Sequence, residues 1–222
     1  PSFYGSYTAG TNTDANGNGL FRYAVPTGYL ALCSKNLATP AVKKGTDHFN
    51  TVLWTGADTS AAKSVTGVGY QPDYVWSKSR SDAFNWNNYD AVRTAGERLS
   101  SNSNAAETSN HAYGYLSAFD SDGFTTAAGS TNNENWNKTS SNYVAYNWKA
   151  NGSGSADTSA DIDATVSANT TAGFSIVTWT ANGSNTDTIP HGLGTTPKVV
   201  LYKQRATAAS SWYWWTTAVD GS

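Results

Sequence analysis

An all-β fold of tandem antiparallel sandwich modules is predicted by three features of the chain. Short aromatic and β-branched runs alternate with polar residues at 49–54, 143–148 and 174–179, so that successive side chains point to opposite faces of a sheet. Clusters of Gly, Asn, Ser and Asp separate these runs. Among them, Asn16-Gly17-Asn18-Gly19, Asp122-Gly123, Asn151-Gly152 and Asn182-Gly183 supply the positive-φ positions of tight hairpins. The third feature is an internal repeat. Moving residues 49–80 forward by 125 positions, without a gap, sets Phe49 on Phe174, Val52 on Val177 and Trp54 on Trp179. The same register sets Gly67 on Gly192, Gly69 on Gly194, Pro72 on Pro197, Val75 on Val200, Lys78 on Lys203 and Arg80 on Arg205. After one inserted residue, Trp86 meets Trp212.

Each copy therefore reads as an apolar strand, a polar loop, a G-x-G-x-x-P turn, a second strand, Lys-x-Arg and an aromatic strand. Residues 42–151 form the first sandwich repeat, and 152–222 a truncated second one in which the stretch from about 94 to 150 has no counterpart. Residues 151–170, rich in Gly, Ser, Ala, Asp and Thr, are expected as the linker or first loop between copies. Residues 1–41 match neither copy and read as the end of a preceding module. One or two helical turns are expected at 90–99, where Ala91, Val92, Ala95 and Leu99 share a side.

The composition narrows the partners. Of 222 residues only 14% are charged, with Lys plus Arg 14 against Asp plus Glu 16, a net charge of -2 and a pI near 5.9. No basic patch marks a nucleic-acid partner, and no apolar run approaches the roughly 20 residues that span a bilayer. Neither nucleic acid nor membrane insertion is expected. Cys33 is the only cysteine, which excludes an internal disulfide and a thiolate metal cluster. The chain has no methionine and starts at Pro1, as an internal or processed segment would.

No motif carries catalytic chemistry. Gly67-Val68-Gly69-Tyr70-Gln71-Pro72 has the close glycines of a phosphate loop, but a proline and the β-rich run Tyr74-Val75-Trp76 follow where a helix should start, so it reads as a turn. Asp120-Ser121-Asp122-Gly123 opens like a calcium loop, yet Thr131 stands where the closing Glu would be, and an Asx-capped hairpin is the better reading. Asp157, Asp161 and Asp163 read as solvated loop carboxylates. His48, His111 and His191 lie in no recognisable catalytic context. No catalytic residue, cofactor or metal is assigned. Lys78 and Arg80, like Lys203 and Arg205, lie two apart on one strand face; they read as solvated, or as paired with a carboxylate such as Asp90.

Aromatic side chains are the remaining candidates for contact, with nine Trp and 13 Tyr. Trp54, Trp76, Trp148 and Trp179 are expected inside the sandwich. Trp212-Tyr213-Trp214-Trp215 cannot all face inward, because neighbours on a strand point opposite ways. Trp86 sits beside Asn85, Asn87 and Asn88, and Trp136 between Asn135 and Asn137. Indole faces next to amides suit sugar C–H faces and hydroxyls, so Trp86, Asn88, Trp136, Trp212 and Trp214 are the candidate glycan or partner contacts.

Several of these residues resemble a known family. The run from Gly67 to Arg80, followed by Asp90-Ala91-Val92-Arg93, Leu99-Ser100-Ser101-Asn102, Ala105-Ala106-Glu107, Asp122-Gly123-Phe124 and Tyr143-Val144-Ala145-Tyr146-Asn147-Trp148-Lys149, resembles an uncharacterised tandem repeat domain of phage tail fibre and other virion proteins. The resemblance covers about 47–150, with a partial second copy reaching 222 through His191-Gly192-Leu193-Gly194. It departs at Thr195 and Thr196. Residues 21–40, with Pro26-Thr27-Gly28-Tyr29 and Asn36-Leu37, resemble the closing strands of a SPRY-type, lectin-like domain. The resemblance implies a virion location, a homotrimeric fibre, neighbouring virion proteins as partners and host-surface glycan as ligand, and it transfers no catalytic residue. Competing expectations are a bacterial surface adhesin or lectin, and a polysaccharide depolymerase, for which the chain offers no carboxylate pair.

Overall fold

The computed structural model describes residues 10–207 and 209–218, in two compact units, 1–43 and 44–222. In the first unit the side chain of Asp14 organises the loop. Its carboxylate accepts the backbone N–H groups of Asn16, Asn18 and Ala31 and the Asn36 amide. Among its described residues, one bridge, Asn12 to Phe21, and a 3-10 turn at Ser34–Asn36 are the regular structure. The closing strands expected at 21–40 are therefore not formed. Leu20, Tyr23, Tyr29, Leu32 and Leu37 all stand exposed, without the opposing sheet face that a strand needs to bury its apolar side.

The second unit is all-β. In chain order it contains β1 (Phe49–Thr55), β2 (Lys63–Thr66), β3 (Tyr74–Ser79), β4 (Asn87–Asp90), β5 (Glu97–Arg98), β6 (Thr108–Ser109), β7 (Tyr115–Asp120), β8 (Gly123–Ala127), a one-turn helix α1 (Glu134–Asn137) and β9 (Asn142–Trp148). Then follow β10 (Ser155–Asp157), β11 (Ala164–Asn169), β12 (Phe174–Trp179), β13 (Val199–Tyr202) and β14 (Tyr213–Thr216).

The first copy is an antiparallel sandwich. One sheet has the order β1-β9-β3-β4 and the other β2-β8-β7. They share a core of Val52, Val75, Tyr89 and Ala145 from the first sheet with Val65, Leu116 and Phe124 from the second, closed by Trp136 of α1. The period-two alternation decides which side chains enter. Val75, Ser77 and Ser79 of β3 are buried, while Tyr74, Trp76 and Lys78 between them are only half-buried on the outer face. Trp76 and Trp148 thus lie outside the sandwich rather than in it. Trp54 does pack on the core, stacked 5.3 Å from Tyr143 and 6.3 Å from Trp136.

The second copy repeats the hairpin geometry of the first. β3 and β4 pair Tyr74 with Asp90, Val75 with Tyr89 and Trp76 with Asn88. β13 and β14 pair Val199 with Thr216, Val200 with Trp215 and Leu201 with Trp214, the equivalent residues throughout. Even the bond beyond the ladder recurs: Ala91 N–H donates to the Asp73 carbonyl, and Thr217 N–H to the Lys198 carbonyl.

Two further expectations need correction. Residues 151–170 are not a linker, because β10 and β11 join β12 in a sheet and bury Ala164, Val166 and Ser167. The Gly192 turn lies against Val166 and Ala168 of β11, where a Cβ on Gly192 would meet both side chains. The helix expected at 90–99 does not form either. Thr94 and Gly96 take φ of 76° and 93°, which ends any right-handed turn, and the next residues form β5.

Candidate functional site

The outer face of β3 begins the site. Trp76 is held by its indole N–H, which donates to Ser101 Oγ at 3.0 Å. Trp86, on the loop into β4, packs against it with ring centroids 5.1 Å apart, and its backbone N–H donates to Asn102 Oδ1. Asn102 is itself fixed, donating to Asn85 Oδ1 and accepting the Ser100 hydroxyl. From the second copy comes Trp212, whose indole N–H donates to the Ser100 carbonyl at 2.8 Å. Leu201 and Trp214, a cross-strand pair on β13 and β14, complete the wall.

Together Trp76, Trp86, Ser101, Asn102, Leu201, Trp212 and Trp214 line a groove of about 210 Å³. It joins equivalent positions of the two copies, since Trp86 corresponds to Trp212 and Trp76 to Leu201. None of the lining side chains is ionisable. What the groove offers is ring faces, one hydroxyl and one carboxamide. Indoles tied down by their own N–H groups keep their faces in place before any ligand arrives, which lowers the ordering cost of binding. Trp214 is the most open of them, 64% exposed.

Of the five candidate contacts, Trp86, Trp212 and Trp214 meet here. Trp136 and Asn88 do not serve as surface contacts. Trp136 is fully buried, among Tyr89, Phe124 and Trp54. Its flanking asparagines stand in for backbone: Asn133 and Asn137 donate to the Ala61 carbonyl, and Asn137 accepts the Ala57 N–H. Asn88 is also buried, donating to the Tyr74 hydroxyl at 2.6 Å and accepting the Ser101 N–H. Sequence reading missed Trp76, Leu201, Ser101 and Asn102 as site residues. The repeat register was the available signal, because it places Leu201 where Trp76 stands.

The cations are structural except at Arg80, which is exposed. Lys78 donates to the carbonyls of Ser79 and Asp82, and Lys203 to those of Asn104 and Ser210. Burial lowers the Lys203 pKa. Arg205 reaches Glu107 of the first copy at 2.9 Å. Glu107 also binds Arg93, which in turn binds Asp90, both at 2.6 Å. Asp90 therefore pairs with Arg93, not with Lys78 or Arg80. Desolvation works against the Arg93 charge, but Asp90 and Glu107 outweigh it and hold its pKa above the ordinary value.

The two G-x-G turns differ. In the first copy the N–H groups of Gly67 and Gly69 donate to the carboxylate of Asp122, the tip of the β7–β8 hairpin. The second copy's turn, at Gly192 and Gly194, instead borders a cleft of about 550 Å³. Asp157, at the end of β10, caps the turn that follows by accepting the Ser159 N–H, and Asp161 accepts the Thr188 N–H and hydroxyl from a segment 27 residues on. Among the described residues no three His, Cys, Asp or Glu side chains gather as a metal site, and no helix is long and apolar enough to cross a membrane.

Fold and site together define a β-repeat unit with an aromatic groove at the junction of its two copies. Residues 44–222 match the model of a family described as a domain of unknown function, DUF7483, and the chain belongs to that family. No curated protein and no solved structure matches the chain.

Proposed function

We propose that this chain is a structural and adhesive segment of a virion appendage, a bacteriophage tail fibre in the first place, that touches neutral glycan on the host surface through the groove between its copies. The observation that carries the reading is the convergence of Trp76, Trp86, Trp212 and Trp214 with Ser101 and Asn102. Flat indole faces stack on the C–H faces of sugar rings, a hydroxyl and an amide meet sugar hydroxyls, and the lack of charge favours an uncharged saccharide. Tandem repeats support the scaffold role. A homotrimer that displays the groove several times would turn weak single contacts into avidity. The virion setting rests on the resemblance of the repeat motifs.

Titration of the protein with short neutral oligosaccharides, followed by the indole N–H resonances, tests the glycan reading. Signals of Trp86 and Trp214 shift, and Trp214→Ala weakens binding by about tenfold, the loss of one stacking contact worth roughly 1.4 kcal/mol. Unshifted groove indoles, or full binding by both Trp86→Ala and Trp214→Ala, would overturn it. Labelling assembled particles with an antibody against this chain tests the virion setting independently; particles without label would refute that part.

A further inference from the structure

In the first copy, β9 lies between β1 and β3 and pairs with both. β12 and β13, the equivalents of β1 and β3, lie in separate sheets, and among the described residues no strand joins them. The inner face shows the consequence. Val75, Tyr89, Ser77 and Asn87 are all at most 1% exposed, whereas the equivalent Val200, Trp215, Tyr202 and Tyr213 are 37%, 42%, 42% and 50% exposed. This is an apolar face with the register of a sandwich core and without its cover.

We propose that this open face is a docking site for an extended polypeptide segment of the β9 type, which inserts between β12 and β13 and completes the second sandwich. Three observations select that occupant. The conserved hairpin register places Val199 and Val200 where β3 offers its edge to β9, so a β9-like strand sets its Trp148 position against Phe174 and Val199, its Ala145 position against Val177 and Tyr202, and its Tyr143 position against Trp179 and Gln204. The second is electrostatic. The amides at Gly67 and Gly69 take the carboxylate of Asp122, while the Gly192 and Gly194 turn faces the open cleft. A segment that carries an acidic hairpin ahead of its strand, as residues 115–148 do, matches those N–H groups. Third, the opposite face of the same hairpin already rests on the first copy through Trp212, Lys203 and Arg205, so the face that carries Val200, Tyr202, Tyr213 and Trp215 is the one left for an added segment.

Such strand addition combines backbone ladder bonds for affinity with alternate side-chain pockets for specificity. It also removes two exposed edges that would otherwise invite non-specific pairing. The occupant is thus defined by pattern: ring-bearing or small apolar residues at alternate positions facing the second-copy core.

The test uses the full 222-residue chain in two forms, with a free peptide of residues 140–150 added, and with a second copy of residues 94–150 appended after Ser222 through a Gly/Ser linker. Tethering raises the local concentration to the millimolar range. Amide hydrogen exchange of β12 and β13 slows by about tenfold or more in the tethered form, Trp215 becomes less accessible to a quencher, and Ala145→Pro in the added segment abolishes both effects because proline cannot donate to the ladder. Unchanged exchange in both forms overturns the proposal, and so does protection that survives the proline. Protection that grows with the concentration of the unmodified chain, together with a dimer mass, overturns it in favour of a second copy on that face.

Discussion

Replacing Trp136 by alanine separates a core residue from a binding residue. The ring is fully buried, and an aromatic of this kind removes about 150–250 Å² from water, or about 4–6 kcal/mol at about 25 cal/mol per Å². Measured truncations of buried aromatics to alanine fall at about 3–5 kcal/mol. Trp54 would keep its indole bond to the residue 136 carbonyl, 2.7 Å long, but lose its stacked neighbour, and Tyr89 and Phe124 would border the cavity. A loss of about 4 kcal/mol is a large share of the roughly 5–15 kcal/mol that holds a domain together. Urea unfolding of Trp136→Ala should show a much lower midpoint with an unchanged slope. Trp214→Ala, which removes a mostly exposed ring, should change the unfolding free energy by less than about 1 kcal/mol. If Trp136→Ala costs under about 1 kcal/mol and instead abolishes saccharide binding, the assignment of Trp136 to the core is wrong.

Other consequences follow from single contacts. Arg93→Ala leaves the buried Asp90 and the partly buried Glu107 without their cation and should cost about 3–5 kcal/mol in the same assay, while Arg205→Ala, at a pair whose arginine is 41% exposed, should cost under about 1 kcal/mol. Burial, with the nearby Arg98 charge, lowers the His111 pKa to about 4. Its Nδ1 receives the Tyr113 N–H and the Asn135 amide, so the folded ring stays neutral. The unfolded ring takes up a proton near pH 6.5, hence stability should be unaffected by this group above pH 6.5 and fall as pH drops from there towards 4. His111→Gln should flatten that part of the curve, and a curve identical to that of the parent would refute the assignment. Gly123 has φ of 151° and lies so close to the Val65 carbonyl that a Cβ would overlap it; Gly123→Ala should lower stability by about 1–3 kcal/mol.

The strands and the repeat were legible because both depend on local pattern. Alternation at 49–54, 143–148 and 174–179 falls on β1, β9 and β12, and the offset that aligned Val75 with Val200 also aligned two hairpins bond for bond. What misled was anything set by a distant partner. Trp136 among asparagines looks like a surface sugar site, but those amides satisfy backbone groups at Ala57 and Ala61, some 70–80 residues away. Residues 90–99 carry helical spacing of apolar side chains. The Asp90 carboxylate binds both the N–H and the guanidinium of Arg93, and positive φ at Thr94 and Gly96 then turns the chain into β5. At 164–167 the alternation of Ala164 and Val166 with Thr165 and Ser167 is weak because the side chains are small, yet they suit a strand against which the Gly192 turn packs closely.

The groove shows how a repeat acquires a site that neither copy has alone. The backbone position that holds Asn88 in the first copy holds Trp214 in the second, at the same register of the same hairpin. On the outer face Asn88 is taken up by the Tyr74 hydroxyl and the Ser101 N–H, leaving Trp76 and Trp86 as one wall. Trp214, on the same face of its own hairpin, keeps its ring open and, with Trp212 anchored on Ser100 of the first copy, supplies the other. Exchange of the two residues would break both halves: an indole cannot make the two polar contacts of Asn88 in that buried place, and an amide at 214 removes the most open ring. A shared backbone register with divergent side chains thus contributes one wall of the groove, beside the point where Glu107 N–H donates to the Arg205 carbonyl and the Arg205 side chain binds Glu107.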